Sequence, residues 1–277
     1  MQACERRGAY EAIVPPRETA SAATLPFVSE LSMKSAVLLQ TPLIASIGGF
    51  LTPEECMAWI DYGEKRGFSE LDAARTAGYA LRRNGRIALD DADVAAAIFA
   101  RVKAFVPREI LIRTSSDGPL RVRQSVRPVG CAPNLRLYRY TVGQAFGKHV
   151  DDSVVREEFD EPGAATRFTL LVYLNDGIDG GATVFYPDED DDIVADRNLS
   201  KSGGGGKTLG KRARGRGKRA KRTRRGGGDP HRPREVRFDP QRGACIVHRH
   251  GNECLEHEGE QVRRGVKYLL RTDVVYA

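Results

Sequence analysis

His149-Val150-Asp151 sets an imidazole and a carboxylate two residues apart, and another imidazole follows far downstream at His257. In an extended strand, residues i and i+2 point to the same face. His149 and Asp151 are therefore expected to project together, with His257 joining them from another strand. Two imidazoles and one carboxylate on one face form the donor set of a non-haem Fe(II) facial triad, and they leave three positions open for a chelating co-substrate and dioxygen. Asp152 has the opposite parity, so Asp151 is the expected ligand. A lone His-x-Asp is a common surface pair, and the reading depends on its context.

A triad of this kind needs strands to carry it, and the pattern after Asn134 supplies them. LRLYRY alternates Leu135 and Leu137 against Arg136, Tyr138 and Tyr140. RFTLLVYL, GATVFY, GACIVH and VKYLLRTDVVY are short, β-branched or aromatic, and separated by Gly, Asp or Pro. The expected fold is mostly β with flanking helices: a double-stranded β-helix, or jelly roll, enclosing the site between its sheets. Two upstream helices are expected to buttress it. The first starts at Thr52-Pro53-Glu54-Glu55, where Thr52 caps, Pro53 suits the first helical position and Glu55 completes a capping box. Met57, Trp59 and Ile60 give it an apolar face. The second follows Asp91, with Val94, Ile98 and Val102 at four-residue intervals and Pro107 beyond its end. The expected division is a tail over 1–40, a helical part of the catalytic domain over 41–130, and the β core over 131–277.

Several segments in this order resemble the prolyl-4-hydroxylase-like 2-oxoglutarate/Fe(II) dioxygenases. NLRLYRYTVGQAFGKHVDD (Asn134 to Asp152) is similar to the entry to that family's iron site. FTLLVYLND and GGATVFYP resemble its next two core strands, and HEGEQVRRGVKYLLRTDVVY (His257 to Tyr276) its closing segment. RRNGRIALDDADVAAAIFARV (Arg82 to Val102) resembles a further stretch upstream. The likeness covers about residues 43 to 277, apart from one insertion. It implies that His149, Asp151 and His257 bind Fe(II), that Lys267 pairs with the distal carboxylate of 2-oxoglutarate, and that Tyr140 hydrogen-bonds the co-substrate. A buried carboxylate needs such a cationic partner. A second tyrosine of some relatives falls at Val172 here. Arg271 lies four residues after Lys267, on the same strand face by parity, and is expected as a second cation near the pocket. The implied chemistry is C–H hydroxylation coupled to oxidative decarboxylation of 2-oxoglutarate, with L-ascorbate in support and peptidyl proline as the leading substrate.

Composition agrees. The chain has 277 residues, enough for a substantial core. Its five Cys are odd in number and form no CxxC pair, which points away from a disulfide framework and towards a reducing compartment. No apolar run is long enough for a membrane span, and the first residues lack the apolar stretch of a secretory signal. The expected location is cytoplasmic or nuclear, with an organelle transit peptide left open. Nothing in the sequence sets an oligomeric state.

An insertion at about 188–234 interrupts the strands and is expected to be a disordered loop. It opens on the acidic run Asp188 to Asp192. Lys201 to Gly228 then hold twelve Lys or Arg and no acid, so the net charge of +7 lies in this block and the rest of the chain is acidic. Three readings stay open: a tolerated low-complexity insertion, a nuclear import signal, or phosphate contacts to nucleic acid, the last without aromatic residues for stacking. Cys245, His248, His250, Cys254 and His257 leave a rival zinc reading open too, although C-x2-H-x-H-x3-C is not a common structural-zinc spacing; otherwise His248 and His250 line or buttress the pocket. Two functional competitors remain. A nucleic-acid or protein demethylase would use the same iron chemistry, although related nucleic-acid demethylases pair the co-substrate with Arg, not Lys. A non-enzymatic protein would bind nucleic acid through the basic block.

Overall fold

The computed structural model of the chain describes residues 36–39, 44–73, 80–113, 123–187 and 235–277. Most of the expected tail, and the insertion with its acidic and basic runs, lie outside the described residues. The elements begin with β1 (Ala36–Leu39), β2 (Ile44–Ile47), α1 (Pro53–Arg66), β3 (Ser69–Ala73), β4 (Arg82–Asp90) and α2 (Ala92–Val102). They continue through β5 (Ile110–Arg113), β6 (Arg123–Val126), β7 (Pro128–Cys131), β8 (Asn134–Tyr140), β9 (Phe146–His149) and β10 (Ala165–Tyr173). The last are β11 (Asp179–Gly180), β12 (Thr183–Tyr186), β13 (Val236–Phe238), β14 (Cys245–Arg249), β15 (Glu256–Gly259), β16 (Val262–Arg264) and β17 (Lys267–Tyr276).

One antiparallel sheet runs β1-β2-β14-β10-β17-β8-β4-β9-β15-β12-β13, with β3 also on β4 and β7 on β17. It rolls into two walls. β2, β14, β10, β17, β8 and β4 form the first; β9, β15, β12 and β13 form the second. The register pair Arg82↔Phe146 joins them at β4 and β9. Contacts across the interior close the roll: Tyr173 Oη on β10 donates to Thr183 Oγ1 on β12 at 2.6 Å, and Phe185 on β12 meets His248 on β14 with ring centroids 5.1 Å apart. The fold is the expected jelly-roll core, mostly β with two helices among the described residues.

The helices start where the sequence places them. Thr52 Oγ1 accepts from Glu55 N at 3.2 Å, and Glu55 Oε2 accepts from Thr52 N at 2.9 Å, which is the reciprocal capping box. Glu55 also pairs with Arg101 of α2 at 2.6 Å, so the cap ties the two helices together in a buried site. Asp91 caps α2 by accepting from Val94 N at 2.8 Å. Trp59, Cys56, Ile98 and Val102 then pack in one cluster with Leu135, Leu137, Phe168 and Leu270 of the first wall. Met57 departs from its expected role. It is half exposed, and Cys56 takes its place on the buried face beside Trp59.

The stretch 41–130 is less helical than its sequence suggests. It carries both helices but also β2 to β7, and Ala36–Leu39 of the expected tail pairs with β2 as β1. β4 has nine residues, of which Ile87 and Leu89 are its buried aliphatic ones. Its strand character comes from neighbours on both sides, β8 and β3, which its own sequence does not show.

Candidate metal and co-substrate site

Antiparallel pairing of β9 with β15 sets His149 directly opposite His257. Asp151 follows two residues after His149, just beyond the end of β9. His149 Nδ1 lies 2.8 Å from the carbonyl of Gly147, and His257 Nδ1 lies 2.9 Å from that of Leu255. A carbonyl can only accept, so each Nδ1 carries the proton. Burial holds the His149 ring at about 4 and the His257 ring below its ordinary value, so both are neutral near pH 7. Each Nε2 is then a bare lone pair. His149 Nε2 stands 3.8 Å from Asp151 Oδ1, and His257 Nε2 stands 3.8 Å from Asp151 Oδ2. The three ligand atoms lie within 4.8 Å of one another. Phe146 stacks on His149 at 3.7 Å, and Phe185 stacks on His257 at 5.2 Å, which fixes both rings.

Asp151 is ionised despite its depth. Burial is the largest single influence and opposes its charge, but Arg271 together with His248, His257 and His250 outweighs it and holds the carboxyl well below its usual range. Oδ2 accepts from the Thr169 hydroxyl at 2.6 Å and from Arg271 Nη2 at 3.0 Å. Thr169 has one proton, and it points at the carboxylate. The His250 Nε2 at 2.6 Å from the same hydroxyl is therefore the donor in that bond. Arg271 also reaches Asp273, which Arg136 supports from the side. Two neutral imidazoles and a carboxylate with its second oxygen hydrogen-bonded fit a divalent cation such as Fe(II).

Lys267 opens β17 and pairs in register with Tyr140 of β8. It is 2 % exposed, and its Nζ lies over the rings of Tyr140 at 5.4 Å and Tyr173 at 5.5 Å. Among the described residues, nothing hydrogen-bonds or ion-pairs with this ammonium. Burial lowers it to about 7, against a weaker opposing pull from Glu260. Lys267, Tyr140, the two ligand histidines and Asp151 line one pocket.

The structure thus brings His149, Asp151, His257, Lys267 and Tyr140 into one cavity. Asp152 is exposed. Arg271 lines the pocket as the strand parity implied, but its charge is committed to Asp151 and Asp273. Val172, the place of the second tyrosine by resemblance, is buried in the opposite core; Tyr173 is the residue beneath Lys267. Parity with Thr169 would have found it, since both face the interior of the roll. Arg82 went unnoticed in an arginine-rich run. It lies between the rings of Phe146 at 4.5 Å and Tyr138 at 4.7 Å and lines the pocket. The rival zinc cluster divides. Cys245 faces the helical core and His250 binds Thr169, but His248, Cys254 and His257 do bring ligand atoms within 4.8 Å of one another.

No protein-family model matches the chain, and no curated protein matches it. Solved structures do. A viral collagen prolyl hydroxylase from Paramecium Bursaria Chlorella virus-1, in complex with 2-oxoglutarate, is 15 % identical over 84 % of this chain and 95 % of its own, with a TM-score of 0.45. A prolyl-4-hydroxylase from Pseudomonas putida is 13 % identical over 85 % of this chain and 92 % of its own, with a TM-score of 0.46. The α-ketoglutarate-dependent epimerase SnoN of nogalamycin biosynthesis is 13 % identical over 86 % of this chain and 76 % of its own, with a TM-score of 0.43. These neighbours differ in the reactions they carry out, so the chemistry of this chain is read from its own side chains.

Proposed function

We propose that the protein is an Fe(II)- and 2-oxoglutarate-dependent dioxygenase that hydroxylates a C–H bond. The observation that carries this reading is a buried ammonium with no anion of its own, Lys267, in the same pocket as a converging His–Asp–His set. A buried charge without a partner is costly, so a pocket built this way calls for an anionic ligand. Fe(II) held by His149, Asp151 and His257 would, with 2-oxoglutarate, supply the oxidation that puts one oxygen atom of O2 into a C–H bond and the other into succinate, with loss of carbon dioxide.

The chain's own residues do the rest. Lys267 holds the distal carboxylate, and the Tyr140 and Tyr173 rings shield that ion pair from water. Thr169 and Arg271 fix the Asp151 carboxylate so that its other oxygen faces the cation. A peptide is the substrate we favour, with proline as the residue modified. Val150, Val154 and Val155 are exposed beside Asp151 and offer an apolar landing for an uncharged side chain. L-ascorbate would serve to keep the iron reduced. The test is succinate formation from 2-oxoglutarate under Fe(II) and air, with a peptide library as substrate. Fe(II)-dependent succinate is the expected result; absence of both succinate and Fe(II)-dependent 2-oxoglutarate binding would sink the reading.

Thr169→Val keeps the shape of the side chain and removes its hydrogen bond to Asp151. The expected outcome is a loss of metal affinity of roughly 10–100-fold, the usual effect of removing a partner that orients a ligand. Calorimetric titration with Co(II) reads it, and an unchanged affinity would show that Arg271 alone suffices.

A further inference from the structure

We propose that His248, Cys254 and His257 form a separate site for a thiophilic divalent cation such as Zn(II), one that cannot be filled together with the His149–Asp151–His257 set. The site follows from the positions of its three side chains; its antagonism to iron rests on the function proposed above. His248 comes from β14 in the first wall, His257 from β15 in the second, and Cys254 from the turn between them. One ligand atom from each lies within 4.8 Å of the other two, and Cys254 Sγ is 3.9 Å from His257 Nδ1.

His248 has no part in the iron set. It is 3 % exposed and lines the pocket. Its Nδ1 lies 3.2 Å from the carbonyl of Arg249 and so carries the proton. Its Nε2 keeps a lone pair that no hydrogen bond reaches among the described residues, since its contact with Asp151 Oδ2 is 3.7 Å long. A buried acceptor without a donor calls for an explanation, and a cation supplies one. Cys254 is the accessible thiol, for the other described cysteines, Cys56, Cys131 and Cys245, are buried. Asp151 N donates to its Sγ at 3.3 Å and holds it in place. Phe185 flanks both rings, at 5.1 Å from His248 and 5.2 Å from His257, and the two imidazoles are 4.5 Å apart by centroid.

The donor types decide which ion each set takes. One thiolate with two imidazoles suits Zn(II), whereas a carboxylate with two imidazoles suits Fe(II). Three protein ligands leave the fourth position of a tetrahedron to water. Cys254 binds as its thiolate, so its proton passes to solvent as the ion is taken up. His257 belongs to both sets. A neutral imidazole has one lone pair, so His257 serves one ion at a time. Zn(II) in the trio therefore removes a ligand from iron, and 2-oxoglutarate loses the metal it would chelate.

Titration of the full chain with Cd(II) reads the trio directly. A cadmium–thiolate bond gives an ultraviolet charge-transfer band, and the iron set contains no sulfur. The band is expected in the wild type and in His149→Ala, and is expected to vanish in Cys254→Ser. Its absence from the wild type overturns the proposal whether or not a variant folds. Its persistence in Cys254→Ser overturns it too, because another thiol is then the ligand. Zn(II) added to the Fe(II)-loaded wild type is expected to abolish 2-oxoglutarate binding, and Cys254→Ser to need roughly 10-fold more Zn(II) or above for the same loss. The cadmium band together with undiminished Fe(II)-dependent 2-oxoglutarate binding in one sample would overturn the mutual exclusion. His149→Ala separates this inference from the function above. If that variant keeps wild-type Fe(II) affinity, the iron set is wrong and the band still decides the trio. If it loses Fe(II) while the wild type shows no band, only the trio falls.

Discussion

His149→Ala is expected to abolish tight Fe(II) binding and, with it, all succinate formation. The variant keeps Asp151 and His257, 3.8 Å apart, but two donors do not hold a labile divalent ion as three do. Losing a residue that merely orients a ligand costs roughly 10–100-fold in affinity, and losing a ligand costs more. The fold should survive, because His149 sits at the end of β9, is partly exposed, and its ring stacks on Phe146 at the pocket wall. Anaerobic titration with Fe(II), read beside a thermal melt, separates loss of the site from loss of the protein. Wild-type Fe(II) affinity in the folded variant would remove His149 from the ligand set.

Lys267→Met is expected to raise the KM for 2-oxoglutarate by roughly 30-fold or more, since truncating one side of a buried charge pair costs about 2–5 kcal/mol. Turnover should recover at saturating co-substrate, because Lys267 lies over the tyrosine rings and makes no contact with the metal ligands. The wild type carries a pH signature of the same group. The free ammonium is lowered to about 7 by burial, and only the protonated form attracts a carboxylate. Affinity for 2-oxoglutarate should therefore be flat below about pH 7 and fall about tenfold per unit above it, up to the higher value that the bound carboxylate imposes. Lys267→Met should lose that slope. A KM unmoved by the substitution, or a slope that persists in the variant, would place the clamp elsewhere.

The parts of this molecule that could be read in its sequence are those governed by local rules. Thr52 and Asp91 cap because a side-chain oxygen beside a helix start meets free N–H groups whatever surrounds it. β8 alternates because Leu135 and Leu137 turn to the core shared with the helices, whereas β10 and β17 are buried on both faces. The parts that could not be read are those that neighbours decide. β4 has an ordinary polar sequence, and only β3 and β8 on its flanks make it a central strand. Met57 and Cys56 are adjacent apolar residues, and the angle at which α1 meets the sheet determines which is buried. Likeness puts the place of a second tyrosine at Val172, and the two-residue period from Thr169 points instead to Tyr173. Thr169 and Arg82 carry no signal in their own surroundings; β10 and β4 bring them to the cavity from distant parts of the chain, and β17 sets Asp273 behind Arg271.

The order in which such a site can form follows from the register of β9 with β15. His149 and His257 meet only after a loop of on the order of a hundred residues has closed, and long closures are slow as well as entropically costly. In the unfolded chain these ligands are effectively dilute with respect to one another. A metal cannot template this fold as it does when its ligands are close in sequence. His248, Cys254 and His257 are different, for they span only ten positions. A thiophilic ion that reaches the nascent chain early would find that local trio before the iron set exists. Under the proposed function, the His149–Asp151–His257 set would be available to a metal only once that register has formed.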